Sequence, residues 1–114
     1  MKLIKIDENR TWEPGKHTGC LVRDVVSDVH GVTKLEIHRT TMKPGGTADL
    51  HCHTESEEIF IIITGEVTFI DENGNEFVAG PGEAVFVPQG GMHATENRAH
   101  HDVQWYAVRV PNRP

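Results

Sequence analysis

The chain has little of several things, and each shortage excludes a class of protein. Two cysteines, Cys20 and Cys52, in 114 residues are too few for a disulfide scaffold and read as free thiols in a reducing compartment. Basic residues are outnumbered, 11 against 17 acids, and form no run. With a formal net charge of -6, a nucleic acid or an anionic membrane is excluded as a partner. The longest apolar run, Ile59 to Ile63, is far too short to span a bilayer. The opening Met1-Lys2-Leu3-Ile4-Lys5-Ile6-Asp7 is too short and too charged for a signal peptide, so the expected location is cytoplasmic. Little reads as helix, and no internal repeat, linker or low-complexity tract is present. The length suits one compact domain with one core.

What is present is strand and turn. Residues 18–26 and 33–42 are β-rich runs joined near His30-Gly31, and they are expected to pair. Lys43-Pro44-Gly45-Gly46 is read as breaking the second run, and Gly65 as ending the isoleucine strand. Glu72-Asn73-Gly74-Asn75 predicts a hairpin turn, because Asn-Gly tolerates positive backbone angles. Further strands are predicted at 84–87 and 103–110. Short strands punctuated by Gly and Pro fit an all-β sandwich or barrel.

Histidine is plentiful, eight in all, and three of them stand apart with a glutamate. His51 and His53, two apart on an extended segment, face the same way while Cys52 turns aside. The same pairing also arises from chance alternation. Glu58 opens the run Ile59 to Ile63, and His93 follows the turn Pro88-Gln89-Gly90-Gly91, so a different strand or loop would deliver it. Three imidazoles and a carboxylate suit one divalent transition metal such as iron, manganese, nickel, copper or zinc, whereas calcium and magnesium prefer all-oxygen shells.

The spacing resembles that of the cupin superfamily. Its first motif is Gly, five residues, His, one, His, three or four, Glu, six, Gly, and this chain has Gly45, His51, His53, Glu58 and Gly65 in that pattern. Its second is Gly, five, Pro, one, Gly, two, His, three, Asn, matched by Gly82, Pro88, Gly90, His93 and Asn97. The resemblance implies a jelly-roll (double-stranded β-helix) barrel spanning residues 1–114, with motifs at 45–65 and 82–97. Residues 1–43 would supply strands that complete the barrel or a dimer interface. It also implies that Glu58, rather than Glu55 or Glu57, is the ligand beside His51, His53 and His93.

Alternation places Glu58, Phe60 and Ile62 on the inner face and Ile59, Ile61 and Ile63 on the outer one. An all-isoleucine outer face needs cover, either from a second copy of the chain, making a homodimer, or from the segment Met1 to Ile6. Phe60, Ile62, Ala84 and Phe86 are expected to line the bore. Arg39 would hold a substrate carboxylate if Leu35, Ile37 and Arg39 face inward, and would otherwise be solvated.

The family resemblance implies a menu of functions on a small-molecule ligand. The first expectation is a mononuclear non-haem oxygenase or dioxygenase, most simply with iron(II), acting on a diketone, phenol or thiol. The alternatives are a redox-neutral isomerase, lyase or decarboxylase, with His38 or His100 among the candidate bases, or a sugar- or metabolite-binding protein without catalysis. Oxalate chemistry is disfavoured, because Gly46-Thr47-Ala48-Asp49-Leu50 lacks the arginine that oxalate decarboxylases carry there.

Overall fold

A computed structural model describes residues 1–112. Nine strands form the architecture: β1 (Thr11–Trp12), β2 (His17–Val26), β3 (Glu36–His51), β4 (Glu57–Thr64), β5 (Val67–Ile70), β6 (Glu76–Ala79), β7 (Ala84–Val87), β8 (His93–Glu96) and β9 (Val103–Val110). Among the described residues there is no α-helix, only short 3₁₀ turns at Ile6–Glu8 and Asp28–His30. The strand order β6-β5-β8-β3-β9-β4-β7, with β2 and then β1 added beside β3, rolls into a nearly closed all-β jelly roll. All pairings are antiparallel.

The long strand β3 makes the roll possible, and it corrects the expected break at Pro44. Residues 36–42 pair with β9, whereas residues 47–51 pair with β8, so one strand serves both sides of the roll. The chain bends between them without ending. Gly45 supplies the left-handed backbone there (φ 78°), and a Cβ on Gly46 would lie 2.5 Å from the Met42 side chain and 2.8 Å from the Lys43 carbonyl. Asn97 ties the bend down. Its backbone exchanges hydrogen bonds with Gly45 and Gly46, and its buried amide donates to the carbonyls of Met42 and His101.

The core fills one end of the barrel with Met42, Ile62, Val67, Phe69, Val103 and Trp105, all nearly or fully buried. Phe60 bridges this cluster to the other end through edge-on contacts with Phe69, Trp105 and His93. The turn after β5 forms as expected around Gly74 (φ 79°), but it spans residues 71–75. Asp71 organises it, its carboxylate accepting the backbone N–H groups of Asn73 and Asn75.

The outer face of β4 is bare. Ile59 and Ile61 remain 40% and 44% exposed, next to the exposed Phe86 of β7, while Leu21 of β2 is exposed on the same sheet's outer side. The N-terminal segment does not cover them: Leu3 is exposed, and the Ile6–Glu8 turn packs against β2.

Candidate metal centre

The open end of the barrel gathers the histidines. His51 closes β3 directly opposite His93, the first residue of β8, with ring centroids 4.4 Å apart. Between Ala48↔Thr95 and His51↔His93, β3 carries two residues where β8 carries one. That bulge turns His51 inward, onto the face that Ala48 already occupies, where strict alternation would have pointed it out. His53 lies just past the strand, held by its own carbonyl accepting the N–H of Gly90 at 2.9 Å. Glu58 enters from β4 as the first inward residue, 4% exposed.

The geometry converges. The ligating atoms of His51, His53 and His93 all lie within 4.8 Å of one another. Glu58 Oε1 stands 3.5 Å from His53 Nε2 and 3.4 Å from His93 Nε2. His51 Nδ1 is 2.7 Å from the Asp49 carbonyl and His93 Nδ1 3.1 Å from the Gly91 carbonyl. A carbonyl only accepts, so both Nδ1 atoms carry the proton, and in a neutral ring each Nε2 is left to turn its lone pair to the centre.

Two buried atoms there, Glu58 Oε1 and His93 Nε2, have no hydrogen-bond partner. Buried polar atoms are almost always satisfied, so a facing pair left unmet fits an ion that takes both lone pairs. Protonation agrees with this. Burial pushes His53 down to about 4 and lowers His51 as well, which keeps both neutral near pH 7. Burial opposes the charge on Glu58, yet His93, Arg109 and His53 together outweigh it and hold the carboxyl below its usual range. Neutral imidazoles beside an ionised carboxylate are the protonation states a metal requires.

Next to this centre is a cavity of about 340 Å³, walled by Trp12, Val22, Ala48, Phe60, Trp105 and Ala107, with Thr40, Thr95, His38 and Arg109 as polar members. Pro14, Gly15, Lys16 and His17 stand at its edge, and the His17 ring lies 5.7 Å from that of His51.

The expected pocket residues divide. Phe60 lines the cavity, and Ile62 faces inward but is packed into the closed end. Phe86 is placed otherwise: it is 58% exposed on the outer face opposite Ile59, and its neighbours Val85 and Val87 point in, so Ala84 is exposed too. Arg39 also faces outward, its guanidinium 3.2 Å from Asp7. On β3 the inward residues are His38, Thr40 and Met42.

Several residues on the cavity wall had no sequence signal of their own. Arg109 Nη1 pairs with Glu36 Oε1 at 2.8 Å and Nη2 lies 3.4 Å from Glu58 Oε2, so it steadies the carboxylate from behind. Only its parity with Val103, Trp105 and Ala107 on β9 could have marked it as inward.

A small barrel with a histidine and carboxylate centre at its open end defines a recognisable class, and the comparisons with known proteins agree. The family model described as "Cupin domain" matches residues 38–109, more than half of the chain. The chain belongs to the cupin family. It is 34% identical over 72 residues to an oxalate-binding protein of Thermotoga maritima, covering 63% of this chain and 59% of that one. It is 29% identical over 86 residues to auxin-binding protein 1 of Arabidopsis thaliana, covering 68% of this chain and 43% of that one. The matches thus span 59% or less of these relatives' own lengths. Among solved structures, polyketide cyclase RemF of Streptomyces resistomycificus superposes with a TM-score of 0.88 at 20% identity over 100% of this chain and 82% of that one. KdgF of Halomonas gives 0.81 at 19% identity over 98% and 96%. These likenesses establish the fold.

Proposed function

We propose that this protein is a metal-dependent enzyme that holds one divalent transition-metal ion on His51, His53, Glu58 and His93 and acts on a small organic molecule in the adjoining cavity. The observation that carries the reading is the unmet pair His93 Nε2 and Glu58 Oε1, buried 3.4 Å apart inside a histidine cluster. When bound, an ion there supplies Lewis acidity toward a substrate oxygen, with up to two positions left open by four protein ligands. The chain's own part is to keep His51 and His53 neutral, fix Glu58 through Arg109, and wall off water with Trp12, Phe60 and Trp105.

The redox-neutral reading, an isomerase, lyase or decarboxylase, is favoured by the polar wall, on which His38 can move a proton and Thr40 and Thr95 can hydrogen-bond a substrate oxygen. Neighbours in fold named as a polyketide cyclase and a sugar phosphate isomerase accord with it. A non-haem oxygenase is the second reading, in keeping with three histidines and a carboxylate that suit iron(II) and leave up to two positions open. Relatives named for binding oxalate and auxin support a small-molecule ligand in either case.

Two further proposals accompany it. The bare isoleucine face is the contact of a homodimer. The working compartment is the cytoplasm, in keeping with two free thiols, of which Cys20 is pushed up to about 11 by burial and is inert. Among the described residues, no helix is long and apolar enough to cross a membrane.

Metal analysis of purified protein is the direct test. The parent should carry one equivalent of ion per chain on the order expected for a single site. The double variant His51→Ala, His53→Ala should retain none while its circular dichroism stays that of the parent. Full metal retention in that variant would remove the ligand assignment. Substrate-dependent oxygen uptake would select the oxygenase.

A further inference from the structure

A second group of titratable side chains faces the same cavity, away from the metal ligands. His38 on β3 and Asp24 on β2 are register partners, and both point inward. Asp24 is 2% exposed, its Oδ2 bound by Arg10 Nε at 2.8 Å, while its Oδ1 has no hydrogen-bond partner. His38 Nε2 lies 3.8 Å from that Oδ1 and 3.6 Å from Oε2 of Glu36, whose other oxygen is held by Arg109. From β1, Trp12 meets the His38 ring edge-on at 5.0 Å. The imidazole therefore has close neighbours on three sides. The carboxylates around Nε2 favour a proton on that nitrogen, and Nδ1 has no hydrogen-bond partner among the described residues.

Proton uptake needs an unbonded ring nitrogen beside the cavity. His38 has one, it lines the cavity, and two carboxylates stand behind it to stabilise an imidazolium. It shares no contact with the metal ligands. We propose that His38, positioned by Asp24 and Glu36, is the proton-transferring residue of this site, and that the substrate is a small carbonyl compound with a hydrogen on the carbon next to the carbonyl. This inference rests on the metal-centre reading given above.

The step balances without any oxidant. The C–H bond beside the carbonyl breaks, its proton moves to Nδ1 of His38, and the electron pair is taken up as an enolate. The imidazolium then returns that proton, either to another carbon or to a departing group. A cavity of about 340 Å³ with mostly apolar walls suits a molecule of a few carbons to one ring in size.

The experiment is hydrogen–deuterium exchange into pyruvate and, separately, dihydroxyacetone by the metal-loaded full chain in heavy water, followed by proton NMR. The parent should accelerate loss of the C–H signal of at least one probe by about a hundredfold over buffer. His38→Gln and His38→Asn should fall to the buffer rate with metal content unchanged. Exchange at the buffer rate by the metal-bound parent with both probes overturns the proposal, as does a His38→Gln variant as fast as the parent. Nitrogen-15 spectra of histidine-labelled, metal-free protein give an independent readout. The His38 ring should be the Nε2–H tautomer, and an Nδ1–H ring overturns the assignment. A parent that binds no metal sinks the metal-centre reading instead, and metal analysis registers that outcome separately.

Discussion

The two ends of this barrel are made from the same strands and do opposite things. At the closed end, inward side chains of β3, β4, β5 and β9 meet as Met42, Ile62, Phe69 and Val103 and leave no room. At the other end β3, β4 and β9 present His51, Glu58 and Arg109, and a cavity remains between them. Packing holds the roll together at one end so that polar groups can be aimed, unmet by one another, at the other. Stability and chemistry are thus expected to separate along the barrel axis.

The sharpest way to break that separation is a cavity at the closed end. Met42→Ala, at a site with 0% exposure, should cost about 2–5 kcal/mol in denaturant unfolding while metal stoichiometry in the folded fraction is unchanged. Loss of metal at the same time would mean that the two ends are coupled. Next in size, Arg109→Lys keeps the charge but loses the fork that reaches both Glu36 and Glu58, and metal affinity should fall by about tenfold in competition with a chelator. Its melting temperature should stay near that of the parent.

Acid probes the open end. His53 is pushed down to about 4 by burial, from an ordinary value of 6.5, so the unfolded chain takes up a proton that the folded one refuses. Its contribution is fully present above pH 6.5 and is lost as pH falls toward about 4. Metal-free protein should lose on the order of 2 kcal/mol across that window, and the His53→Ala variant should lose less. An equal pH dependence in both would assign the acid sensitivity elsewhere. The smallest effect on folding should come from the outer face. Ile61→Lys should change unfolding energy by about 0.5 kcal/mol or less yet lower the sedimentation mass to that of one chain.

The strand map was legible where a polar residue sets the phase. Glu58 followed by alternating apolar residues fixed Phe60 and Ile62 as inward, and the structure agrees. On β7 the run Ala84-Val85-Phe86-Val87 offers no such marker, and the inward pair is Val85 and Val87. On β3, apolar residues occupy both phases, Ile37 outside and Met42 inside, because the outer face of this sheet is apolar as well. That is why Arg39 read as a candidate for the bore and His38 was not ranked. The gathering of His51, His53, Glu58 and His93 was readable from two spaced motifs, although the bulge at residues 49–50 that aims His51 was not. Arg109 and Asp24 could not be found from spacing, since Arg109 lies 51 positions from Glu58 and the fold alone brings them together.

The chain contains two indoles, Trp12 and Trp105, and both stand on the cavity wall. Every photon of tryptophan emission from this protein therefore originates beside the space a ligand would fill. Unlabelled compounds can be screened by quenching alone, with no background from indoles elsewhere in the chain.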